Sequence, residues 1–305
     1  MLKTPNDWLR ELFQIPSHVL PEGQWLELPG RGRTWLTDVP GPTVAAPSIV
    51  LLHAVGCTGQ LSWFPVIEKL SKRFRVITFD QRWHGRGIQS EAFSLRDCAD
   101  DVAAVIIELG LEDPIVAGYS MGSIIAQRTW RQHPDLVGGL VFAATTDHFR
   151  NNLSERIFHE GMELSMGALR TLSRSRSVSA ATRNAARALR IDPNDTSAWA
   201  LDEWRSTSPW AVAQAVAALG RHHSTPWLAK INVPTAVVVT KRDKVLPPER
   251  QRSIADRIAG ATTHEVDCGH AGCVLDTAAF VPGFIEAVNT TAARIRDRQR
   301  LRIDA

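Results

Sequence analysis

Between residues 48 and 145 the apolar positions follow two alternating patterns. Short continuous apolar runs at 48–53 (SIVLLH), 74–80 (FRVITFD), 114–120 (PIVAGYS) and 136–145 (LVGGLVFAAT) read as strands covered on both faces. Stretches 62–72, 94–109 and 121–133 lie between them and carry helical spacing. In 94–109, Val102, Val105, Ile106 and Leu109 share one face, and Ser94 with Asp97 three residues on supplies a helix start. Residues 24–39 read as two short strands around the turn Pro29-Gly30-Arg31-Gly32, followed by a Pro/Gly/Ala loop at 40–47. Strands separated by helices predict a parallel sheet with right-handed crossovers.

That rhythm stops at 147 and resumes after 230. The interval offers helical stretches and no obvious core strand, and its residues 170–190 hold six arginines and no acid. Strand 234–240, helix 248–259, strand 263–267 and helix 276–295 follow. Pro282 should bend or restart the last helix, and the charged tail from Arg294 should fray. The resulting division is a first core part at 1–146, an inserted helical cap at 147–230, and a second core part at 231–305 with a basic C-terminal tail.

Composition narrows the functional classes. With 305 residues, 44% hydrophobic and 22% charged, the chain can bury a large core. A net charge of +3 is too mild to point to nucleic acid. No apolar run approaches the ~20 residues that cross a bilayer. The first 20 residues, interrupted by Asp7, Arg10 and Glu11, lack a signal-peptide pattern, so a cytoplasmic protein is expected. Cys57, Cys98, Cys268 and Cys273 are too few to staple such a chain and are expected as thiols. No metal-ligand set stands out, the spacing Cys268-x-His270-x-x-Cys273 matches no zinc pattern, and no G-x-G-x-x-G follows the first parallel strand. Neither metal nor cofactor is expected, and the oligomeric state is left open.

One motif carries chemistry. Gly118-Tyr119-Ser120-Met121-Gly122 matches G-x-S-x-G, and it falls where a buried strand ends and a helix begins. A sharp turn there lifts the serine hydroxyl above the sheet edge. Flanking glycines allow the backbones to approach, and the helix start aims free N–H groups and a positive dipole at developing negative charge.

With that motif in place, the chain from about residue 24 to 290 resembles the α/β-hydrolase superfamily, in its cap-bearing serine esterase, lipase and C–C hydrolase branch. His53-Ala54-Val55-Gly56 resembles the family's HGxG loop, and Asp80-Gln81-Arg82-Trp83-His84-Gly85-Arg86-Gly87 its D-x-R-G-H-G-x-S turn. Ala54 and Trp83 stand where that resemblance has glycine. It implies a mostly parallel sheet flanked by helices, with an inserted helical cap. It implies Ser120 as nucleophile, His270 as general base, and the backbone N–H groups of Val55 and Met121 as an oxyanion hole. For the orienting acid, Asp243 has the flanking sequence Thr240-Lys241-Arg242-Asp243-Lys244-Val245-Leu246-Pro247, like the family's G-x-x-D-x-x-V-P, and is favoured. Asp147, after the strand preceding the cap, is the alternative. His84 reads as structural.

The resemblance implies hydrolysis of a small or medium, partly apolar carboxylic ester through an acyl-serine. C–C hydrolysis, lactone opening, perhydrolysis and acyl transfer share the same triad, and a non-catalytic ligand-binding member of the fold is the contrasting reading. Trp199, Trp204, Trp210 and Trp227 are expected to pack between cap and core more than to line a pocket. Some of Cys57, Cys268 and Cys273 could make the site sensitive to thiol reagents.

Overall fold

A computed structural model describes residues 20–149 and 196–303. Strands β1 (Gln24–Leu28) and β2 (Gly32–Val39) form a hairpin, and β2 then pairs antiparallel with β4. From there the sheet is parallel, running β4-β3-β5-β6-β7-β8. These strands are β3 (Ser48–Leu52), β4 (Arg75–Phe79), β5 (Ile115–Tyr119), β6 (Gly139–Ala143), β7 (Thr235–Thr240) and β8 (Thr262–Val266).

Helices cover both faces. The first face packs on α2 (Leu95–Glu108), α3 (Met121–Gln132) and α7 (Pro248–Arg257); the second packs on α1 (Gly59–Ser71) and α9 (Thr277–Ile303). Strand periodicity sorts the side chains. In β3, Val50 and Leu52 face the first layer, and Ile49 and Leu51 face the second, against Trp63 and Phe284. All four are fully buried, which is why the strand reads as a continuous apolar run.

Strand β6 is shorter than the expected 136–145, and several helix boundaries also differ from the sequence pattern. Helix α1 starts at Gly59, three residues early, because the Thr58 hydroxyl accepts a hydrogen bond from the Leu61 amide at 3.2 Å and caps it. A short helix α8 (Gly272–Leu275) precedes α9. Helix α9 neither breaks at Pro282 nor frays at Arg294, but runs unbroken to Ile303. A mid-helix proline costs about 3 kcal/mol. Burial of Phe280, Val281, Phe284, Ala287 and Val288 on the sheet exceeds that cost at about 1.5–3 kcal/mol for each large side chain.

Between β6 and β7 the described chain contains α4 (Thr196–Arg205), α5 (Pro209–Gly220) and α6 (Thr225–Leu228), with one isolated bridge between His148 and His223. The whole of the arginine-rich 170–190 stretch, with the rest of 150–195, lies outside the described residues. Because β3 to β8 run in one direction, the loops after them gather at one edge of the sheet. A groove of about 360 Å³ lies at the opposite edge, between residues 44–48, 110–115 and α9. Among the described residues no helix is long and apolar enough to cross a membrane.

Candidate active site

The loop after β5 is a sharp turn from strand into helix at that edge. Ser120 has φ 52° and ψ −114°, a conformation that side-chain-bearing residues rarely take. Its neighbours must be glycine: a Cβ on Gly118 would lie 2.2 Å from the Gly122 carbonyl carbon, and one on Gly122 would lie 2.0 Å from the Leu52 oxygen. The turn is anchored below by the Ser123 hydroxyl, which donates to the Gly118 carbonyl at 2.6 Å. It is anchored above by the Ser120 amide, which donates to the Ala143 carbonyl at 2.9 Å.

The loops after β7 and β8 bring two residues to that serine. His270 Nε2 lies 3.1 Å from Ser120 Oγ, and His270 Nδ1 lies 2.7 Å from Asp243 Oδ2. Asp243 Oδ1 accepts from the amides of Val245 and Leu246, both at 2.9 Å, and Oδ2 accepts from the Thr240 hydroxyl at 2.9 Å. Burial alone would raise the Asp243 carboxyl, but the hydrogen bond and charge of His270, with the Leu246 amide and Thr240, hold it below the ordinary carboxylate range. An ionised Asp243 can only accept, so the ring proton sits on Nδ1 and Nε2 keeps a lone pair for the serine proton.

The loop of His270 is fixed by the chain's single tyrosine. Tyr119 is fully buried, and its hydroxyl donates to the His270 carbonyl at 2.9 Å. The sequence motif leaves this residue as an unspecified x; only the fold reveals its partner.

The other candidates fall elsewhere. Asp147 sits at the same sheet edge, but its carboxylate is engaged by His148 Nδ1 at 2.7 Å and by the Thr225 hydroxyl at 2.5 Å, with Arg257 at 3.7 Å. His84 is buried, with Nδ1 against the Arg82 carbonyl at 3.0 Å, and burial pushes it down to about 3. His53 is pushed down to about 4 by burial and accepts the Gln81 amide on Nε2 at 2.8 Å, tying the loop after β3 to the loop after β4. Trp83 does adopt the left-handed region at φ 66°, as the expected glycine would, whereas Ala54 does not need it.

The loop after β3 carries Val55, and Met121, which opens α3, directly follows Ser120; no hydrogen-bond acceptor is found for either amide among the described residues. Cys98, Cys268 and Cys273 are buried and Cys57 is half-buried; burial pushes Cys57 up to about 11 and Cys268 to about 12. At neutral pH these are poor nucleophiles, which works against thiol sensitivity. Among the described residues no three histidine, cysteine or acidic side chains converge to hold a metal. Trp199 packs edge-on against Phe64, Trp227 stacks on Trp130, Trp210 is half-buried and Trp204 is exposed.

An edge-of-sheet serine on a strained strand–helix turn, with a histidine and an aspartate from later loops, defines a class of fold. The family model described as the alpha/beta hydrolase fold matches residues 47–277, and the chain belongs to that family. A "Putative carbamate hydrolase RutD" of Rhizobium rhizogenes is 28% identical over 247 residues, covering 77% of this chain and 90% of that protein. The protein of the same name from Yersinia enterocolitica is 31% identical over 122 residues, but that match spans only 39% of this chain and 43% of the relative. The enol-lactonase of Burkholderia xenovorans has the same fold, with a TM-score of 0.65 at 23% identity, over 87% of this chain and 100% of that one.

Proposed function

We propose that this chain is a serine hydrolase that cleaves a small or medium, partly apolar carboxylic ester through an acyl intermediate on Ser120. The observation that carries the reading is the relay Ser120–His270–Asp243, with contacts of 3.1 and 2.7 Å, on a serine held at φ 52°. Ser120 Oγ attacks the ester carbonyl while His270 Nε2 takes its proton. The tetrahedral oxyanion is received by the amides of Val55 and Met121, each such donor being worth about 3–4 kcal/mol of barrier. His270 then returns the proton to the leaving alcohol, and a water attacks the acyl-serine by the same route in reverse. Asp243 holds the imidazole tautomer and stabilises the imidazolium. No step calls on a cofactor or a metal.

We take α4 to α6, the described helices of the segment read as the cap, to contribute to shaping the acyl pocket. Relatives named as carbamate hydrolase and enol-lactonase favour small polar acyl compounds as a second reading, with lactone opening or carbamate cleavage on the same triad. Steady-state assays on p-nitrophenyl esters of increasing chain length, a carbamate and an enol-lactone test both. The proposal expects the highest kcat/KM on a short or medium ester and loss of all turnover in Ser120→Ala. Equal rates for Ser120→Ala and the wild type would contradict it.

A further inference from the structure

Helix α4 belongs to the segment read as the cap, yet it is bonded to two core loops at the active edge. Trp199 of this helix packs on Phe64 of α1, and the buried Glu203 carries its hydrogen bonds to the core. One carboxylate oxygen accepts a short hydrogen bond from the Thr58 hydroxyl, and the other accepts from Arg86 Nη2 at 2.9 Å. Arg86 itself lies 4.4 Å over the Trp35 ring and 3.6 Å from the Asp80 carboxylate, so its position is set by the core. Two residues past the end of α4, the Thr207 hydroxyl accepts the Gly85 amide at 3.0 Å.

Thr58 closes the loop that carries Val55. Its hydroxyl is used twice: it accepts the Leu61 amide, which starts α1, and donates to Glu203. The start of α1 is also held by Asp80, which accepts the Gly59 amide at 2.9 Å. One residue before Thr58 the loop is bound to itself, the Cys57 amide donating to the Ala54 carbonyl at 3.2 Å. From the same cap segment, Val212 of α5 presses on this loop: a Cβ on Gly56 would lie 3.4 Å from its Cγ2. Burial pushes the Glu203 carboxyl up, and the Thr58 hydroxyl and Arg86 act against that rise. A carboxylate this desolvated is costly unless it is partnered, and Thr58 and Arg86 supply its two partners.

We infer that Glu203 is a positioning residue that fixes the Val55 loop through Thr58, so that docking of α4 and completion of the oxyanion site are one event. The inference rests on the serine-hydrolase reading above. Its consequence is kinetic: with Glu203 unlatched, substrate still enters, but the Val55 amide is misaimed at the developing oxyanion. A misplacement of about 1 Å can cost about a hundredfold in rate.

The test uses the full chain, p-nitrophenyl butyrate, and active sites counted by fluorophosphonate titration. Glu203→Ala, Thr58→Val and their double variant are each expected to lose about tenfold to a hundredfold in kcat per titrated site, with KM little changed. The double variant should lose less than the product of the two single losses, since the Thr58–Glu203 bond is cut in both, while Thr58→Val also removes the α1 cap and Glu203→Ala also removes the Arg86 partner. Thr58→Ser, which keeps the hydroxyl, should recover most of what Thr58→Val loses; Glu203→Gln replaces Glu203→Ala if the latter does not purify. Unchanged kcat per titrated site, losses confined to KM, or losses that multiply in the double variant would overturn the inference. A wild-type protein that neither labels nor turns over ester would instead sink the serine-hydrolase reading, and this inference with it.

Discussion

Two aspartates reach the active edge, and their partners separate their roles. Asp243 meets His270 at 2.7 Å; Asp147 spends its oxygens on His148 and Thr225. Asp243→Asn should therefore cut kcat by up to about 10⁴ by mis-setting the imidazole tautomer. Asp147→Asn should leave kcat near wild type while lowering the thermal midpoint, since it removes a buried acceptor. Steady-state kinetics and calorimetry on the two variants check this, and comparable kcat losses would reassign the acid. Both carboxyls are held low in the folded protein, burial being outweighed by hydrogen bonds from His270 to Asp243 and from Thr225 and His148 to Asp147. The unfolded value is about 3.9, so the stability each contributes is complete above it and is lost as pH falls through the folded value. Urea midpoints should drop between about pH 5 and pH 2, and drop less in Asp243→Asn, where one of the two groups no longer titrates. An equal drop in both proteins would contradict the link.

At the scale of elements, the sheet was legible because its central strands are apolar on both faces and bounded by turn residues. β5, expected at 114–120, is Ile115–Tyr119, and β7, expected at 234–240, is Thr235–Thr240. Helix ends were less legible where the signal is tertiary. Thr58 lies four residues before the expected helix at 62–72, yet its hydroxyl caps α1; Pro282, expected to bend or restart the last helix, sits within α9, whose buried aromatic face outweighs its cost. Trp83 opposes a local preference with packing. Its left-handed backbone costs about 1–2 kcal/mol. Against that, its ring packs toward Phe93 at 6.1 Å and its Nε1 donates to the Ser90 carbonyl at 3.0 Å. Truncating a buried tryptophan typically costs about 3–5 kcal/mol, so even half-buried the ring should outweigh the strain. Trp83→Gly, the residue expected there by resemblance, should lower stability despite relieving the backbone; a raised thermal midpoint would reverse that judgement.

For the whole molecule, the motif around Ser120 and the loop positions of Asp243 and His270 could be read from the chain because each follows a recognisable strand. Tyr119 bonded to His270, and Glu203 bonded to Thr58 across 145 positions, could not, since no local pattern marks a partner so distant. The fold unites them by sending β3 to β8 in one direction, so that loops far apart in sequence share one edge. On the proposed function, this convergence makes Ser120 an activated nucleophile. Incubation with a fluorophosphonate probe, followed by peptide mass mapping, tests it directly. Stoichiometric modification of Ser120 is expected, abolished in Ser120→Ala and slowed strongly in His270→Ala. A wild-type protein left unmodified, or one modified at a different residue, would contradict it.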